Sequence, residues 1–248
     1  MAKKKYGLEL GKLPATRLAG VETLSAYASG KLPTPPASVA VPGPVADYPM
    51  DGNDVWGDCT IAGIAHLLAA WNILVDSTSI PVPTAQQCIA LYEQLTGSNT
   101  PPGDGLNETT LLAQWRKEGL FGNQIEAYAP VDYKSIIDLH QAVAFYGGAY
   151  LGIACPESAQ QQFQENQPWT YVPGSPVEGG HCIVALGYTP TALLCATWGG
   201  IAEVTYPFLA HFLDEAFAII SAEFVEEGRG PTIDLAALEA DLDNLKQG

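Results

Sequence analysis

Residues 53–71 read NDVWGDCTIAGIAHLLAAW, and the organisation of the chain follows from this stretch. A Gly-Asp pair, Gly57-Asp58, delivers Cys59 to a run from Thr60 to Leu74 that is apolar on nearly every side. A helix apolar all round is one buried at the centre of a domain. Its first turn offers unpaired backbone amides and the positive end of the helix dipole, so a cysteine there is placed as a nucleophile would be. A lone cysteine beside an apolar helix is also an ordinary small buried side chain, and Cys59 by itself settles nothing.

On the C-terminal side three more helical patterns follow. Residues 84–96 form one, opened by Thr84 and stopped by Gly97, and residues 107–120 another, with Asn107 as cap and Gly119 as terminator. The stretch 132–147 is the third. After Gly147-Gly148 the period changes, and 149–155, 181–188, 192–199 and 203–209 are short, apolar segments suited to strands. Helices first and sheet second predict an α+β domain in which a helical lobe faces a strand lobe.

On the N-terminal side, residues 1 to about 48 carry Pro14, Pro33, Pro35, Pro36, Pro42 and Pro44, which exclude a long helix or a central strand. This arm is either a disordered tail or packs in part on the body through its apolar residues, with a short helical turn at 22–28. The body spans 49–226, and 227–248 is a linker, marked by Gly228, Gly230 and Pro231, plus a helix. Leu235, Leu238, Leu242 and Leu245 make that helix amphipathic, as a coiled-coil seam or a helix folded back on the body.

Charge divides the chain in the same way. Of 248 residues, 11 are Lys or Arg and 27 Asp or Glu, for a net charge of -16. Residues 1–31 hold six basic and two acidic side chains, a net of +4, so the remainder carries -20. Such a body repels nucleic acid and anionic membrane, which leaves the basic head, Lys3 to Lys5, as the one anion-seeking part. Five cysteines without CxxC spacing indicate neither a disulfide framework nor a metal cluster, and no metal or cofactor is expected. The head has no apolar run of export length and no stretch nears a membrane span, so a cytoplasmic or virion-associated protein is expected.

Two further elements bear on Cys59. In EGGHCIVALGY, residues 178–188, two glycines open a path to His181 at the mouth of a strand. His66, His140 and His211 lack that approach and read as structural, His211 with Asp214 as an i, i+3 pair of an ordinary helix. One hairpin later, CATWGG places Trp198 before Gly199 and Gly200. A cysteine opening a central helix, then a Gly-Gly-His strand ending in Gly-Tyr, then a strand ending in Trp-Gly, resembles the papain-like cysteine peptidases over about residues 46–225.

That resemblance implies a divergent member of bacterial or phage type, lacking the large helical prosegment, with a two-lobed fold and a peptide or protein substrate. It makes Cys59 the nucleophile and His181 the base that holds it as a thiolate–imidazolium pair. Asn53, six residues before Cys59, takes the position of the family's oxyanion-holding glutamine, and Trp198 that of the tryptophan shielding the partner of the histidine. Where the family has an asparagine that orients the histidine, the gapless match is Ala196. Thr197 is polar, but alternation aims it at the opposite face unless a bulge intervenes. Asp54 and Asp58 oppose a thiolate, although Asp58 is also the candidate helix cap.

Two uses of the residues stand side by side. One is a cysteine hydrolase, most simply a peptidase, with transglutaminase-like and amidase chemistry drawing on the same pair. The other is a weak or inactive member of the same fold, a structural or binding component of a virion or other assembly, whose arm and C-terminal helix dock protein partners.

Overall fold

The computed structural model of the protein describes residues 7–76, 79–222, 224 and 231–245; the basic head Lys3–Lys5 and the linker glycines Gly228 and Gly230 lie outside them. The central helix is α1, Cys59–Leu74, buried from Cys59 to Trp71. Helix α2, Ala85–Thr96, starts at a capping box in which Thr84 and Gln87 satisfy each other's backbone N–H. Helix α3, Glu108–Glu118, is capped by the Asn107 side chain. Trp71 of α1 stacks on Trp115 of α3, which locks the helical lobe around α1.

The expected segregation into helical and strand lobes is present. The strands are β1 (Ile125–Pro130), β2 (Ala149–Pro156), β3 (Val177–Tyr188), β4 (Ala192–Thr197), β5 (Gly200–Thr205) and β6 (Leu213–Ser221). They form one six-stranded sheet in the order β1-β6-β2-β3-β4-β5, with every neighbouring pair antiparallel. Helix α1 lies across β3 and β4, so the buried helix is the layer between the lobes.

Several boundaries differ from the sequence expectation, each for a local reason. The helix expected over 132–147 is α4, Ile136–Tyr146, because Ser135 accepts the Asp138 N–H as cap and ends the preceding turn. The strand expected over 203–209 stops at Thr205, where Pro207 opens α6, Tyr206–Phe212. Asp214 is therefore in β6 and not on a helix with His211. Strands β1 and β6 and helix α5, Glu157–Gln164, lie outside the segments whose pattern marks a strand or helix in the sequence.

The arm lies along the body. Val39 exchanges both backbone hydrogen bonds with Tyr188 at the end of β3, and the turn at 22–28 is a 3-10 helix over Leu24–Tyr27. The C-terminal helix α7, Leu235–Asp243, is folded back on the body: Leu238 and Leu242 are buried, Arg116 pairs with Asp243, and the Tyr27 hydroxyl donates to Asp241. Among the described residues no helix is long and apolar enough to cross a membrane.

Candidate active site

Cys59 is the first residue of α1, and its Sγ accepts the backbone N–H of Cys182 at 3.4 Å. Cys182 follows His181 in β3, so the first turn of the central helix abuts the histidine strand. Cys59 and Cys182, 123 positions apart in the chain, are thereby brought together at the junction of the lobes.

The His181 ring is held on two sides. Its Nε2 lies 2.7 Å from the Thr197 hydroxyl, and its plane stacks on Trp198 with centroids 4.1 Å apart and 15° between planes. Thr197-Trp198-Gly199-Gly200 is the β4–β5 hairpin turn, with Thr197 paired to Gly200. Both central residues have positive φ, +42° at Trp198 and +74° at Gly199, the pattern of a type I′ turn. A tryptophan in this region is strained, and such strain persists only where the surroundings over-determine it. Here Trp198 is fixed by His181, Phe163, Trp169 and an Nε1–H bond to the Glu9 carbonyl at 3.1 Å.

The histidine's partner is thus Thr197, and Ala196 faces away. The cause is a register shift in the β3–β4 ladder between Ala185 and Gly187. Beyond the shift Tyr188 pairs with Leu193; before it Val184 pairs with Ala196, which puts Ala196 on the Val184 face and Thr197 on the face of Ile183 and His181. Without the shift the two residues would exchange faces. Ala196 is 1% exposed, and an Asn there would bury an amide without partners among apolar neighbours. Ala196→Asn is therefore expected to destabilise by about 2 kcal/mol or more, a fall of roughly 6 °C in Tm by thermal denaturation, and to leave the histidine no better held.

The arm runs through the site. Leu13 N–H donates to Leu106 O at 2.9 Å and Leu106 N–H to Gly11 O at 2.8 Å on the helical side; on the sheet side Lys12 N–H donates to Gly180 O at 3.1 Å. Gly11 packs on Gly57 so closely that a Cβ at position 11 would stand 1.8 Å from the Gly57 oxygen. The Gly11 N–H also points at the Cys59 sulfur. Asn53, 2% exposed, spends its amide on backbone carbonyls, to Trp56 at 3.0 Å and to Glu9 of the arm at 3.3 Å. Asn53, Cys59 and Trp198 are thus each bonded to the chain's own N-terminal segment, a feature that only long-range contacts reveal.

The electrostatics follow from this closure. Burial pushes the Cys59 thiol up to about 12; the N–H groups of Cys182 and Gly11 oppose that shift, and Asp58 and Glu108 add to it. With the arm seated, burial thus works against the thiolate that the helix position favours. Asp58, the N-terminal neighbour of α1, does not cap the helix with its side chain. Burial raises its carboxyl to about 8, and that of Asp51 to about 7, so near neutrality Asp58 is mostly uncharged and opposes a thiolate only weakly. Asp54 is exposed. A carboxyl raised on folding stabilises the fold below its unfolded value, and that contribution is lost as pH rises through about 8. Asp58→Asn should accordingly change Tm little at pH 4 and raise it relative to wild type at pH 8; an equal difference at both pH values would exclude the burial shift.

The other histidines have structural partners. His66 Nε2 lies 2.8 Å from Pro49 O and burial lowers its pKa to about 4; His140 stacks on Tyr188 and meets the Tyr206 hydroxyl at 2.6 Å; His211 stacks on Tyr171.

No protein-family model and no curated protein matches the chain. Solved structures match its shape. Xylellain, a cysteine protease from Xylella fastidiosa, superposes with a TM-score of 0.68 at 14% identity, over 90% of this chain and 99% of its own. The digestive procathepsin L2 proteinase of Tenebrio molitor gives 0.59 at 12%, over 89% and 80%. A cysteine protease of Carica candamarcensis gives 0.51 at 15%, over 75% and 99%. At such low identity the likeness is one of fold: this chain has the papain-like cysteine protease fold, in a divergent form.

Proposed function

We propose that the protein is a cysteine peptidase that works by acyl transfer through Cys59, and that the structure is its latent form, with the arm lying where substrate would lie. The observation that carries this reading is the bond from Cys182 N–H to Cys59 Sγ beside a histidine clamped by Thr197 and Trp198. Once the arm has left, His181 takes the thiol proton and the sulfur attacks the substrate carbonyl carbon. Asn53, released from Glu9 O, donates its amide to the developing oxyanion. The C–N bond then breaks as His181 returns the proton to the leaving amine. Water, deprotonated by His181, hydrolyses the thioester and restores the thiol. Trp198 shields the His181–Thr197 bond from water, and Thr197 sets which ring nitrogen faces the sulfur.

The rival reading, a non-enzymatic component, rested on Ala196 as an empty orienter position, and the Thr197 contact takes away that support. Its two docking segments, the arm and α7, are here packed on the chain's own body. The test is to treat the folded full-length protein, and the arm-displacing variant Gly11→Ala, with a thiol-directed peptidyl electrophile and to map the labelled cysteine. Modification of Cys59 in the variant is expected. First labelling at Cys88 or Cys155, or no labelling and no peptide turnover with the arm displaced, returns the protein to the non-enzymatic reading.

A further inference from the structure

The side chain of Lys12 enters the body as a key enters a lock, although it belongs to an exposed, proline-rich arm. It is fully buried, and its ammonium lies 2.9 Å from Glu215 Oε1 and 3.0 Å from Asp214 Oδ1, with a longer contact to its own neighbour Leu13 O at 3.3 Å. The stem passes over Gly152 of β2, where a Cβ would stand 2.0 Å from Lys12 Cε, so a larger residue at 152 would fill the channel. Glu108, the first residue of α3, is 0% exposed, meets the Cys182 thiol and acts electrostatically on Lys12. Burial, and then Glu215, raises the Glu108 carboxyl, while Lys12 draws it down. For Lys12, burial alone would lower the pKa; Glu215, Glu108 and Asp214 together overcome it and hold the ammonium above its ordinary value.

Removing Lys12 would leave the carboxyl groups of Asp214, Glu215 and Glu108 without the cation that offsets them. Buried charges persist only when paired, and truncating one partner leaves the others uncompensated. Lys12 itself makes the backbone bond to Gly180, which precedes His181, and its neighbours Gly11 and Leu13 make those to Leu106, which precedes Asn107 and Glu108 by one and two positions. An extended peptide making those same bonds would present a side chain to the same channel. A cavity of about 300 Å³, lined by Asp214 and Glu215 together with arm residues Thr16 and Arg17, reaches the two acids from the other side. The net charge of -20 outside the first 31 residues acts in the same direction at long range, since it draws basic chains toward the cleft.

We propose that the channel filled by Lys12 is the specificity pocket of the cleft, and that it selects peptides carrying a lysine or arginine side chain. This assignment rests on the peptidase reading for its consequence, and on the Lys12 geometry alone for the binding. The arm is then a pseudosubstrate whose hold on the cleft depends on the same charge complementarity.

The test separates the two. In full-length Cys59→Ala/Lys12→Ala protein, where no reaction can occur and the pocket is vacated, binding of blocked pentapeptides with lysine, arginine, norleucine or glutamate at each position in turn is measured by calorimetry. At one position lysine and arginine should bind at least about tenfold more tightly than norleucine, with glutamate weakest, and adding Glu215→Gln should remove most of that preference. Equal affinity for norleucine and lysine at every position, or no binding by a folded variant, overturns the pocket assignment. Should Lys12→Ala not fold, Gly11→Ala, which lifts the arm and leaves every pocket acid in place, serves for the same measurement. The same peptides armed with an acyloxymethyl ketone are then applied to Gly11→Ala protein with Cys59 intact. A lysine preference in binding without modification of Cys59 supports the pocket and overturns the peptidase reading.

Discussion

Replacing Gly11 by alanine should raise the rate at which iodoacetamide alkylates Cys59 at pH 7 by about two orders of magnitude. The added Cβ would stand 1.8 Å from the Gly57 oxygen and 2.2 Å from its carbonyl carbon. These are backbone atoms at the entrance to α1, braced by the Gly57 N–H bond to Pro102 O at 2.8 Å, so the arm must give way and not the body. As it lifts, the sulfur loses the Gly11 N–H but regains water, and the thiol falls from about 12 toward the ordinary range near 8.5. A drop of about three and a half units multiplies the thiolate roughly three-thousandfold, and the lower nucleophilicity of a less basic thiolate takes back a few tens of fold of that gain. Leu13→Ala, on an arm residue that is 40% exposed, is the control and should change the rate little. A Gly11→Ala protein that keeps its Tm and labels no faster than wild type would show that the arm does not seal the site.

How much of this was legible in the chain depends on the range of the contacts involved. Cys59 opening an apolar helix, the glycine path to His181 and the Trp198 turn are local patterns; in the structure the His181 ring stacks on Trp198, and Cys59 meets the backbone N–H of Cys182. The face of Thr197 was not legible from alternation, because one extra residue between Ala185 and Gly187 reverses it; Gly187, a glycine inside a strand, is the one local mark of the slip. The slip lies beside Tyr188, which Val39 of the arm grips by two backbone bonds, so its setting is tertiary. Strand β6 was hidden for a related reason: LDEAFAIIS satisfies either period, and its place between β1 and β2 is decided by partners far away in sequence. The occupied cleft was hidden most deeply. Gly11 is spaced for Gly57, and Lys12 finds Asp214 and Glu215 some two hundred residues on. Prolines told that the arm is extended, but not what it covers.

The hydroxyl of Thr197 carries the second large effect. Thr197→Val keeps the volume, the branching and the strand preference and deletes only the group 2.7 Å from His181 Nε2, at a site 2% exposed where no water can replace it. In the arm-released background, kcat/KM toward a peptidyl substrate should fall about a hundredfold, or ~2.7 kcal/mol in barrier, mainly in kcat, because substrate binding does not involve this bond. The ring would remain stacked on Trp198, which fixes its plane but not its rotation within that plane or its tautomer. Either nitrogen could then carry the proton, and only one arrangement leaves a lone pair toward sulfur. The acid limb of the pH profile for Cys59 alkylation should shift with the substitution, which a purely packing role would not produce. Thr197→Ser, which restores the hydroxyl and loses only a methyl, should recover activity to within a few fold of the parent. A valine variant with undiminished kcat and an unmoved pH profile would show that the stack on Trp198 is sufficient and that the hydroxyl serves only to satisfy a buried ring nitrogen.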